Sequence, residues 1–190
     1  MKTDIILAGV GGQGILTIAA VIGFASLHEK LYIKQSEVHG MSQRGGAVES
    51  HLRISSNPIA SDLIALGTAD LILSVEPMEV LRYLPFLSPR SWIITNSVPF
   101  VNINDYPPVE KIETEVRRLK NHIWLDAEKV ARDCGSPKSS NIVMLGAAAQ
   151  QIGLNYESLQ KGIVMAFGHK GQEVVDSNLK ALDAGKSFGK

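Results

Sequence analysis

The chain has almost no cysteine, no surplus of either charge and no long apolar run, and each shortage closes off a class of function. Cys134 is the single cysteine, so no disulfide forms within the chain. One thiolate also cannot hold an iron–sulfur cluster, which usually needs four. A lone thiol suits a reducing compartment, and the chain reads as cytoplasmic. Lys+Arg and Asp+Glu are equal at 19 each. That balance leaves no basic surplus to draw the chain to nucleic acid or to an anionic membrane. It also gives little net repulsion against association, which leaves room for a homo-oligomer or a partner subunit. No apolar stretch reaches the roughly 20 residues that span a bilayer. Asp4 and the glycines after Ala8 interrupt the apolar run near Met1, so that run does not read as a signal peptide. His28, His39, His51, His122 and His169 lack the spacing of a zinc site, and no metal site is expected.

What is present is an alternation of short apolar runs and helical patterns. Ile5-Ile6-Leu7-Ala8, Leu71-Ile72-Leu73-Ser74-Val75 and Trp92-Ile93-Ile94-Thr95 read as strands buried on both faces. Leu31-Tyr32-Ile33, the alternating stretch 47–54 and His122-Ile123-Trp124-Leu125 read as further strands. Helices are predicted over 15–28, from Pro77 onward, and over 109–120, 127–134, 141–153, 158–167 and 173–184. Strands and helices at this spacing predict an α/β, Rossmann-like three-layer domain: a mostly parallel sheet covered by helices on both faces. A length of 190 residues fits one domain over 1–190, with 185–190 a frayed tail.

Two stretches carry candidate chemistry. Gly9-Val10-Gly11-Gly12-Gln13-Gly14 lies between a predicted strand and a predicted helix. In that context Gly9 permits a tight turn, Gly11 a close approach of another group, and Gly14 helix packing on the strand. The helix N-terminus behind it offers free N–H groups to an anion. Gly12 and Gln13 extend the polar reach of the turn. A dinucleotide site would also place a carboxylate about 20 residues on, and Glu37 is near that place. The second stretch, 35–46, is polar and rich in turn formers, and it reads as a loop. Within it Glu37 and His39 exchange protons, Gln43 donates and accepts, Arg44 presents a planar fork, and Gly45-Gly46 turn the chain before the next strand. Glu37, His39 and Ser42 lie too close together on one loop to form a nucleophile–base–orienter relay. Glu76 ends a predicted strand, where it either serves a ligand or caps the helix that follows.

These residues together resemble a known family. Gly9-x-Gly11-Gly12-Gln13-Gly14, the stretch Glu37-Val38-His39-Gly40-Met41-Ser42-Gln43-Arg44-Gly45-Gly46, and Ser50-His51-Leu52-Arg53 look like the gamma domain of 2-oxoacid:ferredoxin oxidoreductases. So do Glu76-Pro77-Met78-Glu79, Leu81-Arg82-Tyr83-Leu84, Asn141 and Leu145-Gly146-Ala147. The likeness covers nearly the whole chain and is strongest to the branch that acts on indolepyruvate, an aryl 2-oxoacid. It implies a subunit of an enzyme that oxidatively decarboxylates a 2-oxoacid to an acyl-CoA and passes electrons to ferredoxin. Thiamine diphosphate and iron–sulfur clusters do that chemistry, and the chain has neither a Gly-Asp-Gly thiamine signature nor cluster cysteines. A catalytic partner subunit is therefore implied. The candidate cofactor or partner contacts are Gly9, Gly11, Gly12, Gln13, Gly14, Glu37, His39, Gln43, Arg44, Gly45 and Gly46; no catalytic residue is assigned. Two other readings rest on the glycine turn: a stand-alone NAD(P)-binding dehydrogenase, and a non-catalytic nucleotide- or CoA-binding module.

Overall fold

The computed structural model describes residues 1–40, 45–101 and 103–189. Its six strands, in chain order, are β1 (Lys2–Val10), β2 (Tyr32–His39), β3 (Ala47–Ser55), β4 (Ala69–Ser74), β5 (Leu87–Asn96) and β6 (His122–Leu125). The helices are α1 (Ile15–His28), α2 (Pro77–Arg82), α3 (Val109–Arg117), α4 (Ala127–Asp133), α5 (Ser140–Ile152), α6 (Tyr156–Phe167) and α7 (Gln172–Lys186). One sheet runs in the order β2-β3-β1-β4-β5-β6. The pairs β1/β4, β4/β5 and β5/β6 are parallel, while β3 is antiparallel to both its neighbours.

The apolar run at the start of the chain explains where the layers come from. Side chains of a strand alternate between faces. Ile5 and Leu7 of β1 join one core with α1, α4, α5, α6 and α7. Ile6 and Ala8 join the other, with Val80 of α2 and Ile112 and Val116 of α3. All four β1 residues are at most 1% exposed, so truncating Ile5, Ile6 or Leu7 to Ala would cost about 2–5 kcal/mol each. The predicted three-layer α/β class is the one observed.

Three features correct or extend the sequence reading. The stretch 35–46 is not all loop: Gln35 to His39 complete β2, paired through Glu37 with Ser50 and His39 with Val48. This strand is polar because it is the sheet edge, with little core to face. Second, β3 lies between β1 and β2. The end of β2 is thus two strand spacings, about 9–10 Å, from the end of β1. Third, Gly185 and Lys186, expected in a frayed tail, belong to α7. A Cβ on Gly185 would lie 2.0 Å from the Val143 carbonyl oxygen, and one on Gly146 would lie 2.2 Å from that of Leu182. This close crossing of α5 and α7 holds the end of the chain in the helix.

The motif Ser50-His51-Leu52-Arg53 is structural. Arg53 faces Asp4 across β1 and β3 and grips its carboxylate with Nε at 2.8 Å and an Nη at 3.1 Å. Its remaining donors hold the carbonyls of Ser61 and Leu63 at 2.9 and 3.0 Å. Burial works to raise the Asp4 pKa, but hydrogen bonds and charge from Arg53 and Lys2 outweigh it and hold the group below its ordinary value. His51 is 5% exposed. Its Nδ1 accepts from the Ile64 N–H at 2.9 Å, which leaves Nε2 to donate to Glu49 at 2.6 Å. Both residues thus fasten the segment between β3 and β4 to the sheet.

Candidate anion site at the glycine turn

The glycines do their work in a different order from the one their spacing suggests. Gly9 is still in β1, and a Cβ there would lie 2.4 Å from Val75 Cγ2 and 2.9 Å from Ile15 Cδ1. It is the packing glycine. The turn itself falls on Gly12 and Gly14, whose φ values are 101° and 82°, the left-handed region open to glycine. Gly14 is also the N-cap of α1. A Cβ on it would lie 2.5 Å from Asn141 Nδ2, so here the close neighbour is helix α5. Gly11 donates its N–H to the Gly46 carbonyl at 2.9 Å. That bond brings the glycine turn to the β2–β3 connection, and the two stretches singled out in the sequence meet at one edge of the sheet.

Beside this turn lies a cleft of about 740 Å³. Three helix N-termini line it: Gly12, Gly14 and Thr17 from α1, Ser139 to Asn141 from α5, and Glu173, Val174 and Ser177 from α7. The N–H groups of Gly12, Gly14, Ile15 and Leu16 have no partner among the described residues. Free N–H groups and the positive ends of helix dipoles favour an anion. Two exposed cations, Lys138 and Lys170, stand at its wall. Glu173 is the one carboxylate among the described lining residues. Ser139 is 5% exposed and sits at the N-cap of α5, yet its hydroxyl makes no capping bond. It has no other partner among the described residues, and its oxygen is open to solvent. A phosphate oxygen in the cleft would supply a partner.

The other candidate residues sit differently. Gln13 binds the protein with both ends of its carboxamide: Oε1 accepts from the Val10 N–H at 2.8 Å and Nε2 donates to the Val75 carbonyl at 3.4 Å. Glu37 is paired with His39 and accepts from Gln35 Nε2 at 3.3 Å. With β3 interposed and this carboxylate engaged, the ribose-binding role considered for Glu37 has no geometric support. His39 and Val48 border a second, smaller pocket of about 320 Å³ on the other side of the turn, with Ile15 and Leu16. Gly45 has φ 80°. Gln43 and Arg44, with Met41 and Ser42, lie outside the described residues.

Glu76 is the cap of the alternative weighed for it, and more. It is fully buried. One carboxylate oxygen accepts from the Glu79 N–H at 2.9 Å. The other accepts from the Phe100 N–H at 3.3 Å and from the Tyr106 hydroxyl. Burial and this bond push the Tyr106 phenol far above its ordinary range. Glu76 thereby anchors the loop after β5.

Lys138, Ser139 and Lys170 were not singled out by sequence. A signal existed: Ser136-Pro137-Lys138-Ser139-Ser140-Asn141 precedes a buried apolar helix, and Gly168-His169-Lys170-Gly171 precedes another. Both are polar helix starts, but only packing shows that they face one cleft. No group of three or more His, Cys, Asp or Glu among the described residues could hold a metal ion. Cys134 directs Sγ to the Ala131 carbonyl at 3.3 Å. The donors present do not fit an iron–sulfur cluster. No helix among the described residues is long and apolar enough to cross a membrane.

Comparison with known proteins gives the family and the fold. The chain is 37% identical over 192 aligned residues to indolepyruvate oxidoreductase subunit IorB of Pyrococcus horikoshii, covering 96% of this chain and 93% of that one. The fold matches the gamma subunit of a keto/oxoacid ferredoxin oxidoreductase from Geobacter sulfurreducens, with TM-score 0.70, 22% identity and coverage of 98% and 97% of the two chains. It also matches 2-oxoglutarate:ferredoxin oxidoreductase from Magnetococcus marinus, solved with 2-oxoglutarate, coenzyme A and succinyl-CoA bound. That match has TM-score 0.79 and 23% identity and covers 98% of this chain but 31% of the other. Residues 4–188 match the family described as pyruvate ferredoxin/flavodoxin oxidoreductase, and the chain belongs to that family.

Proposed function

We propose that this chain is the small subunit of a 2-oxoacid:ferredoxin oxidoreductase of the indolepyruvate type, forming one domain, and that its cleft holds the phosphates of coenzyme A. The observation that carries this reading is the convergence of three helix N-termini, Lys138, Lys170 and the Ser139 hydroxyl on one cleft. Such a site binds an anion and does no bond chemistry of its own. Coenzyme A is a substrate that carries phosphates and enters reactions of this class, and the Magnetococcus enzyme was solved with it bound. Thiamine diphosphate, the iron–sulfur clusters and the path to ferredoxin then belong to a partner subunit, in the cytoplasm. In this reading Glu37, His39, Gly45 and Gly46 lie at the rim of the turn, and contact with the partner or the remainder of the coenzyme is assigned to them and to Gln43 and Arg44. Gly11 ties that rim to the turn.

Two measurements test the proposal. The purified chain alone should not reduce a viologen dye with indolepyruvate and coenzyme A, and co-expression with a subunit bearing thiamine and cluster motifs should give that activity. Full activity of the isolated chain would overturn the assignment. In the co-expressed enzyme, the double variant Lys138→Ala with Lys170→Ala should raise KM for coenzyme A about tenfold, a loss of about 1.4 kcal/mol of binding. An unchanged KM would remove the cleft from the account. Thermal stabilisation by NADH but not by coenzyme A would restore the dehydrogenase reading.

A further inference from the structure

Two carboxamides near the cleft are occupied at both ends by the protein itself. Gln13 joins the last N–H of β1 to the Val75 carbonyl beyond β4, at 2.8 and 3.4 Å. Asn141 joins the two helices: Nδ2 donates to the Gly14 carbonyl at 3.2 Å, and Oδ1 accepts from the Ile142 N–H at 3.0 Å. One N–H and one oxygen lone pair of each amide are thus committed to holding the protein together, and both residues lie at the wall of the cleft. Their placement is constrained from the other side as well. A Cβ on Gly14 would collide with Asn141 Nδ2 at 2.5 Å, and one on Gly9 would lie 3.1 Å from Gln13 Oε1. Each glycine is thus matched to a bracket that fills the space beside it.

We propose that Gln13 and Asn141 are positioning residues for the coenzyme: a pair of brackets that fixes the N-terminus of α1 against β4 and against α5, so that the free N–H groups of both helices meet one anion. Gln13 sets the turn against the sheet, and Asn141 sets the spacing of the two helix ends. An anion held by several weak donors depends on their relative placement, because each donor contributes only at hydrogen-bonding distance. The lysines supply attraction over longer range. This proposal rests on the anion reading above, and it assigns to the two amides a geometric role that the lysines do not have.

The experiment uses the co-expressed enzyme and four versions of this chain: the natural one, Gln13→Met, Asn141→Ala and the Lys138→Ala/Lys170→Ala double variant. Each is assayed for KM of coenzyme A, KM of indolepyruvate and kcat over a range of ionic strength. Loss of either bracket is expected to raise KM for coenzyme A about fivefold, with KM for indolepyruvate and kcat changed less than twofold. The salt dependence of that KM should stay as steep as in the natural enzyme, because no charge is lost. The lysine variant should instead flatten it. Asn141→Ala keeps a good helix former in α5, so it answers the question even if Gln13→Met does not fold. Bracket variants with natural KM beside a lysine variant with raised KM would overturn the positioning role and leave the anion site standing. A natural KM in the lysine variant as well would overturn the anion site itself. A bracket variant that lowers kcat and raises both KM values equally would show general damage and also overturn the proposal.

Discussion

Two strand-to-helix junctions stand side by side at the carboxyl edge of this sheet, and they solve the same problem in opposite ways. β1 runs into α1 through Gly12 and Gly14, and β4 runs into α2 through Glu76. Both strands are parallel neighbours, and both helices begin with unsatisfied N–H groups. At α2 the protein brings its own anion. Glu76 caps the helix and also takes the Phe100 N–H and the Tyr106 hydroxyl. At α1 the cap is a glycine with no side chain, and the N–H groups stay free. The difference teaches where a ligand can go: a junction closed by its own carboxylate repels a second anion, while a junction capped by glycine leaves both the space and the donors. The carboxyl-edge rule for α/β sheets therefore needs the side chain at the cap before it points to a site.

The largest expected effect comes from breaking the closed junction. Glu76→Ala removes a cap and two further bonds to a buried charged group, and about 3 kcal/mol of stability should be lost, a fall of roughly 6–12 °C in Tm. A calorimetric scan reads it, and a loss under about 0.5 kcal/mol would show that the junction does not depend on Glu76. Breaking the open junction is next. Gly14→Ala forces a side chain into the left-handed region and onto Asn141, so about 2 kcal/mol of stability should go. Coenzyme A affinity should fall with it, whereas Glu76→Ala should leave that affinity intact in whatever fraction folds.

A third expectation concerns the other end of β1. Asp4 has a folded pKa below its unfolded value. Its contribution is therefore fully present above the unfolded pKa, about 3.9, and is lost as pH falls through the lower folded value. Asp4→Asn should cost about 2 kcal/mol at pH 7, since it leaves Arg53 without its partner. Urea melts at decreasing pH should show that gap closing below about pH 4. A gap that stays constant to pH 2 would mean that charge plays no part. The smallest effect on stability is expected from Lys138→Ala with Lys170→Ala, within about 0.5 kcal/mol, because both lysines are exposed. A large loss of stability there would turn the cleft from a ligand site into a structural one.

Much of this could be read in the chain. The unbroken apolar runs gave away β1, β4 and β5, because a strand covered on both faces has no polar side to show. α1 was placed to the residue, whereas the glycine turn starts two residues later than its spacing suggests, because Gly9 and Val10 belong to β1. β2 was cut short, because Gln35, Ser36, Glu37 and His39 pair along an edge that faces water, and a polar edge strand looks like a loop. The insertion of β3 between β1 and β2 had no local signal, since strand order is set by the whole sheet. Glu37 was weighed as a ribose ligand from its spacing after the glycine turn, and spacing does not show that β3 intervenes. The site divided similarly. Gly12 and Gly14 were visible, and the inward turn of Gln13 was not, because nothing in a sequence says which way an amide points. Lys138, Ser139 and Lys170 come together only through the packing of α5 and α7, whose close crossing depends on Gly146 and Gly185.

The most direct test of the open junction is the coenzyme A KM of the co-expressed enzyme, with and without the two lysines, measured from low to high salt. The account expects the double variant to bind about tenfold more weakly at low salt and to converge on the natural enzyme as salt screens the two charges. The same KM at every ionic strength would contradict it.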